Sequence, residues 1–552
     1  MVKIMYKINI ILILFLIQLK IQAQTVDLTE IGLKDAIRTN TLLDTNLPKE
    51  SFLIRNSSYY YNTENPNWSK LMITRFGLLY LNQDNSHLPY GYNDGNMGNS
   101  VGKQKLYSSQ LNIQWGRIYL QIAPEKIIAN NESFDRLPLN FDGTQNGYNY
   151  WARYYSMSEN LIENTIQIGS KETNFLGQSS LKYNTKNISF GISNENLWWG
   201  PGFYNSLILT NNAPGFLHFT INTHKPISNK FGNFEWQIIG GNLSNSNIEP
   251  IYNDNPFARP YYVPKLNHDR YLTGLIITMQ PKLIPNLYIG VANVAYMYKK
   301  EIKNTEEYTP FINFNKPSDL NNRPTFGSFF FKYNFPKDHA EFYLEYGRNN
   351  KAATPVNIFE DSIPIGYVGG IRKIFPLGSN FRYGGIMINM EVVQMHLNNP
   401  NQIWDKDLIT KRTSWYTNSY ISQGYTNSGQ ILGSYIGPGS NAQNLQISWI
   451  KASKKIGIGI ERVIHNQDFY YYNYYNGLKY PGPNFKYWAD LIYNVSFRWD
   501  VGNFIFSADY KNSNSYNYMW TKIGDGGIYG PSDTDKKNIQ INFAIKYVIL
   551  KK

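Results

Sequence analysis

The run Asn196-Leu197-Trp198-Trp199-Gly200-Pro201-Gly202-Phe203-Tyr204-Asn205 sets two indoles beside a forced turn, and Asn211 and Asn212 follow closely. Proline lacks a ladder donor and the flanking glycines permit positive φ, so no strand can run through Gly200-Pro201-Gly202. Trp198 and Trp199 can offer flat apolar faces to sugar rings, with an N–H at each ring edge. Tyr204 and the side chains of Asn205, Asn211 and Asn212 can supply donors and acceptors for hydroxyls. The same pair of indoles can instead anchor an inward-folded loop against a wall, and the run alone leaves both roles open. A second run, Phe469-Tyr470-Tyr471-Tyr472-Asn473-Tyr474-Tyr475-Asn476, fills a long connection. Tyr470, Tyr471, Tyr472, Tyr474 and Tyr475 read either as a sugar-stacking platform or as part of an interfacial aromatic girdle.

Other chemistry is poorly supplied. There is no His-Glu-x-x-His, Gly-x-Ser-x-Gly, Walker loop or dinucleotide fingerprint. His87, His218, His224, His268, His339, His396 and His465 are scattered, with no two at i, i+4. The absence of cysteine removes thiol metal sites and disulfides. The sequence therefore predicts no catalytic residues, no metal and no cofactor. A hydrolase assembled from Ser, His and Asn or Asp on separate strands remains a distant alternative.

The elements that must carry these runs alternate with period two. Phe329, Phe331, Tyr333 and Phe335 oppose Ser328, Lys332 and Asn334. After Pro336-Lys337-Asp338, Phe342, Leu344 and Tyr346 oppose Glu341 and Glu345. Tyr493 to Trp499, Phe504 to Tyr510 and Ile539 to Ile549 repeat the design. From Pro281 onward, tight turns alternate with long connections, such as Lys299 to Pro324 and Gln394 to Gln443. Short periplasmic turns and long outer loops are the rule of outer-membrane barrels, whereas a Greek-key sandwich has no reason to keep it. Lys332 or Arg498 on the lipid face at mid-depth would each cost about 2 to 4 kcal/mol, so the charged faces must line the lumen. The alternation alone counts roughly 20 strands.

Lys3 and Lys7 precede the apolar run Ile8 to Leu19, and Ala23 supplies a small residue before Gln24, so residues 1–23 are expected to be a signal peptide. Residues 24–50 are expected to form a periplasmic arm or short helix, with Leu33, Ala36, Ile37 and Thr41 at helical spacing, and residues 51–552 a barrel whose first strand starts near Ser51 to Tyr61. The aromatic share of 16%, with 45 Tyr and 12 Trp, suits interfacial girdles. A mean hydropathy of −0.43 suits a wall that is lipid-facing at alternate positions only. With Lys3, Lys7 and Lys20 removed, the 53 basic residues fall to 50 against 40 acidic ones, an excess that is modest and dispersed. That argues against nucleic acid as a partner and is compatible with anionic surface polymers. Arg259, Lys299, Lys300, Lys411 and Arg412 fall in the outer loops.

The run Asn196 to Phe216, with its paired Trp, Gly-Pro-Gly and Ser206-Leu207-Ile208-Leu209-Thr210-Asn211-Asn212-Ala213, resembles the signature of the capsule assembly Wzi family. Gln423 to Gly439 is similar to that family's later Gly-rich stretch. The resemblance implies an all-β, transmembrane, antiparallel up-and-down barrel of about 18 strands, roughly 16 to 20, in the outer membrane of a Gram-negative bacterium. It further implies a non-enzymatic, lectin-like binder of capsular or exopolysaccharide that assists capsule attachment, with outer-membrane lipid as its other partner. A porin or substrate channel is the main alternative. Two features depart from the family pattern. Only Gln24 to Asn46 is available for a periplasmic helical bundle, and the chain ends Tyr547-Val548-Ile549-Leu550-Lys551-Lys552 rather than on an aromatic residue.

Overall fold

The computed structural model describes residues 38–39, 42, 68–134, 136–137, 140–145, 148–157, 166–223, 225–310, 322–349, 364–396, 414–470, 487–520, 522–523, 527–528 and 535–550. The expected signal peptide lies outside the described residues, as do Leu33, Ala36, Ile37 and Thr41 of the arm and Ser51 to Tyr61. The first described strand, Leu71–Asn85, closes the wall by pairing with Lys536–Leu550.

Strands β1 (Leu71–Asn85) and β2 (Gly102–Trp115) are followed by two interrupted strands. These are β3 (Ile118–Ile122 with Glu125–Ala129) and β4 (Lys171–Phe175 with Ser180–Asn184). Next come β5 (Ile188–Ser193), a third interrupted strand β6 (His218–Thr223 with Ile227–Ser228), β7 (Gly232–Leu243), β8 (Arg270–Pro281) and β9 (Leu287–Tyr298). The second half comprises β10 (Thr325–Phe335), β11 (Ala340–Asn349), β12 (Ile365–Pro376), β13 (Gly385–Gln394) and β14 (Asn441–Lys451). It ends with β15 (Lys454–Ile464), β16 (Ala489–Val501), β17 (Phe504–Tyr516) and β18 (Lys536–Leu550). Each pairs antiparallel with its sequence neighbours, and β1 pairs with β18 from Arg75↔Leu550 to Asn85↔Gln540, closing an 18-strand barrel. The interruptions have local causes. Pro124 removes a ladder donor between the halves of β3, Gly177 at φ +56° bends the facing gap of β4, and Pro226 sits in the gap of β6.

The wall sorts its faces as the alternation predicts. Phe329, Ile458, Val495 and Ile541 are exposed on the lipid side, whereas Lys332, Glu341 and Glu345 are buried inside. Lipid-facing aromatics gather at the short-turn end. Trp68 and Trp115 meet edge to face at 5.5 Å, and Trp449 stacks near Trp499 at 6.3 Å while donating Nε1–H to the Tyr383 carbonyl. Ring bodies in acyl chains and polar tips among headgroups are the arrangement an interface favours.

Because every ladder is closed, unfolding must breach the whole wall. We expect the protein to fractionate with outer membranes and to change gel mobility on boiling. Recovery in the soluble periplasm would contradict the fold's placement.

The largest apolar cluster lies inside the barrel rather than between sheets, where two outer connections that turn inward, residues 194–217 and 414–440, meet lumen-facing residues of the wall. Leu197, Trp199, Leu207, Trp415, Tyr416 and Leu432 pack there against lumen-facing Ile239, Leu272, Phe326 and Val368. A second, largely aromatic cluster joins five outer connections above it. Trp151 of the helix α1 (Tyr150–Met157) lies 4.8 Å from Tyr252, and Phe469 lies 4.4 Å from Trp520. The Asn149 side chain caps α1 by accepting from Ala152 N–H at 3.0 Å. At the opposite, short-turn end, Arg38, Thr39 and Leu42 of the arm have helical conformation and enter the lumen. Arg38 Nε lies 2.5 Å from Glu341, Arg372 donates to Thr39 Oγ1 at 3.2 Å, and Leu42 packs on Ile374, Met387 and Ile450.

Candidate functional site

The two segments singled out by their sequence, 196–216 and 423–439, meet inside the lumen. Thr210 N–H donates to the Leu432 carbonyl at 2.8 Å, Asn212 Nδ2 to the Ile431 carbonyl at 2.9 Å and Asn427 Nδ2 to the Pro214 carbonyl at 3.0 Å. Tyr416 OH donates to the Leu207 carbonyl at 2.8 Å and accepts from Ser434 N–H at 2.9 Å. Arg270, at the outer end of β8, ties the second segment down through the Gly424 carbonyl at 3.1 Å and Thr426 Oγ1 at 3.0 Å.

The paired indoles face protein. Trp198 is 3% exposed and Trp199 is 0% exposed. Trp199 donates Nε1–H to Gln237 Oε1 at 3.1 Å, and its N–H to the Leu209 carbonyl at 3.1 Å. Its six-membered ring lies over Gly274, where an added Cβ would come within 2.8 Å of Cη2, so a glycine in β8 leaves the seat that the indole fills. The turn before it is equally tight. A Cβ at Gly202 would lie 1.7 Å from the Asn205 carbonyl oxygen. Of the two roles open to the pair, the geometry has the form of the loop anchor. The turn itself hangs on Glu391 of β13, whose carboxylate accepts from Phe203 N–H at 2.6 Å, Tyr204 N–H at 3.1 Å, Asn205 Nδ2 at 3.1 Å and Tyr343 OH at 2.8 Å. Glu345 of β11 accepts from Leu207 N–H and Ser206 Oγ, both at 3.2 Å.

Asn205 is buried in that network, whereas Tyr204 and Asn211 line a lumenal cavity of about 370 Å³ with Gln83, Asp94, Glu461 and Lys511. Burial lifts the Asp94 carboxyl above its ordinary range, against the opposing pull of Tyr92 N–H, Lys511 and Gln83. Asn212, of the first inward segment, is half-buried against the second. Tyr470 is 4% exposed within the aromatic cap, 4.9 Å from Tyr487. Tyr471, Tyr472, Tyr474 and Tyr475 lie outside the described residues, as do Lys411 and Arg412, while Arg259, Lys299 and Lys300 are exposed on the outer side. The structure thus brings Trp198, Trp199, Tyr204, Asn205, Asn211 and Asn212 together beneath the outer surface, and it places Tyr470 apart from them.

Sequence reasoning missed a groove of about 400 Å³ on the outer connection between β7 and β8. The side chains of Asn245, Asn247, Asn253 and Asn267, the ring of Tyr262, and the cations Arg259 and Lys265 line it. Asn245 donates to Asn267 Oδ1 at 3.0 Å while its own Oδ1 accepts from Arg270 Nη2 at 3.1 Å, and Asn253 donates to Glu249 Oε2 at 2.7 Å, which fixes both orientations and leaves the acceptor oxygen of Asn253 to the groove. Tyr262 is held edge-on to Tyr155 at 5.6 Å. The signal that could have found it is the density of asparagine from Asn242 to Asn255. Among the described residues no group of His, Asp or Glu has the form of a metal site.

The chain is similar to solved structures. The barrel of Wzi from Escherichia coli, described as an outer-membrane protein involved in group 1 capsule assembly and a carbohydrate-binding β-barrel, superposes with a TM-score of 0.53 at 12% identity. The match covers 86% of this chain and 84% of that one. OccAB2 of Acinetobacter baumannii matches over 91% of this chain and 100% of its own, at 11% identity and a TM-score of 0.41. OccK7 of Pseudomonas aeruginosa covers 87% and 99%, at 7% identity and a TM-score of 0.38. No curated protein matches the sequence. The model of the capsule assembly protein Wzi family matches residues 83–519, which take in both inward segments and all but the first and last wall strands almost completely, and the chain belongs to that family of outer-membrane barrels.

Proposed function

We propose that this barrel binds capsular or exopolysaccharide at the cell surface and helps to hold it there, with the groove of residues 245–267 as a point of contact. The observation that carries the reading is this outward-opening groove of amide side chains beside an aromatic ring, set above a lumen packed by two loops. Fixed amides pair with sugar hydroxyls in both directions, a tyrosine ring stacks on a pyranose face, and Arg259 and Lys265 can meet carboxylates of an acidic polymer. The carbohydrate binding described for E. coli Wzi supports the same reading. Trp199, Leu207 and Trp415 fill the lumen where a porin would keep an open path, so the packing favours a binder over a channel.

The test is polysaccharide affinity of the refolded protein, with Asn253→Ala and Tyr262→Ala as variants. Each substitution should weaken binding by about 1 to 2 kcal/mol, because one aromatic contact or hydrogen-bond pair is lost while the barrel stays closed. Cells carrying the variants should release polymer to the medium. Undiminished affinity in both variants would move the contact elsewhere on the outer surface.

A further inference from the structure

The short-turn end carries a charge pattern that polysaccharide binding at the opposite end does not use. Seven of the eight short turns have Lys or Arg within them or at their edge. Lys186, Lys230, Lys282, Lys337, Arg382 and Lys451 are all exposed, and none is ion-paired among the described residues. Among the described residues the acids of this rim are few. Asp338 is exposed, and Asp500 already accepts from Ser453 Oγ. The outer rim differs. There, charges of both signs mix and pair, as in Arg136–Asp254 at 2.7 Å and Lys126–Glu172 at 2.5 Å.

Lipid-facing rings set the depth of two of these cations and of Lys454 beside Lys451. Lys230 lies 4.9 Å over Phe231, Arg382 lies 5.5 Å over Tyr383 and Lys454 lies 4.4 Å over Trp499. Such rings sit where acyl chains end and headgroups begin, so these three cations stand at the level of the lipid phosphates, and the other turn cations share the same rim. A soluble partner would have no need of cations packed on rings that face the membrane.

We propose that the basic periplasmic rim is a binding surface for the anionic phospholipid headgroups of the inner leaflet, drawing them into a shell around the barrel. A cation close to an anionic surface strengthens association by roughly fivefold, and the attraction fades within a Debye length. Several cations around one circumference therefore select anionic lipid over zwitterionic lipid and lose the selection in high salt.

The experiment refolds the full protein into bilayers of phosphatidylethanolamine with a minor share of phosphatidylglycerol and measures the lipids that remain bound, by native mass spectrometry. Phosphatidylglycerol should be enriched several-fold over the bulk mixture. The enrichment should fall to bulk composition in high salt and in the variant K186Q/K230Q/K282Q/K337Q/R382Q/K451Q, and should persist in the outer-rim control K299Q/K300Q/K303Q. Heat-dependent gel mobility checks that each variant is folded. Should the sixfold variant not fold, K186Q/K230Q/K282Q and K337Q/R382Q/K451Q are each expected to lose part of the enrichment. No enrichment in the wild type, or full enrichment in the folded variants, would overturn the proposal. So would binding of an acidic polyglutamate peptide to the detergent-solubilised wild type, lost in the variants, with no lipid preference in either, since the rim would then serve a soluble acidic partner.

Discussion

Trp199→Ala should lower the stability of the refolded protein by about 3 to 5 kcal/mol, the usual cost of cutting a fully buried large aromatic to alanine. The indole has no exposed surface, fills the seat over Gly274 and satisfies Gln237. Its removal leaves a cavity in the largest apolar cluster and an orphaned amide beside it. Thermal unfolding read from the temperature dependence of gel mobility should show a clearly depressed midpoint. Polysaccharide affinity below that midpoint should be unchanged if the outer groove makes the contact. Native stability with weakened affinity would reverse this assignment and return the indole to a sugar-stacking role.

Glu391→Ala should free the inward loop. One carboxylate accepts from two backbone N–H groups, an asparagine side chain and a tyrosine hydroxyl, and each buried donor left without a partner costs about 1 to 3 kcal/mol. Some of that penalty will be met by water, and water entering at Phe203 to Asn205 would begin to fill the lumen. The variant should therefore conduct ions in planar bilayers where the parent conducts little, and its unfolding midpoint should fall. Glu391→Gln retains an acceptor and should show both effects to a smaller degree. A variant as stable and as closed as the parent would show that the second inward segment holds the first without help from β13.

The wall was legible because lipid and lumen impose opposite demands on neighbouring residues. Lys332 beside Phe331, or Glu345 beside Leu344, permits only one orientation of the strand. Legibility failed in the N-terminal third, where Pro124 and Gly177 cut strands into five-residue pieces such as Ile118–Ile122 and Glu125–Ala129. Pieces that short hold too few alternations to score. The site was only half visible. The motif around Trp199 could be found, but a tryptophan before Gly-Pro-Gly has the same local signature whether it meets a sugar or a wall. The contacts that favour the wall come from Gln237 and Glu391, 38 and 186 residues from their partners in the motif. The groove shows the converse difficulty. Its asparagines stand in plain sequence, yet Asn255 is fully buried while Asn253 opens to solvent, and composition cannot separate the two.

A wall whose outward residues meet only acyl chains, around a centre packed by loops, distributes the freedom to mutate in an unusual way. Phe329, Ile458 or Val495 can exchange with any apolar residue of suitable length, since lipid tails adapt to whatever shape they meet. Leu207, Trp415 and Tyr416 meet fixed neighbours on every side, and a change in one demands a change in another. In a soluble β-sandwich the strands carry the packed core and the loops drift. Here descent should erode the strands fastest and leave the inward loops most recognisable, so that relatives sharing little of their overall sequence would still betray common ancestry in a turn.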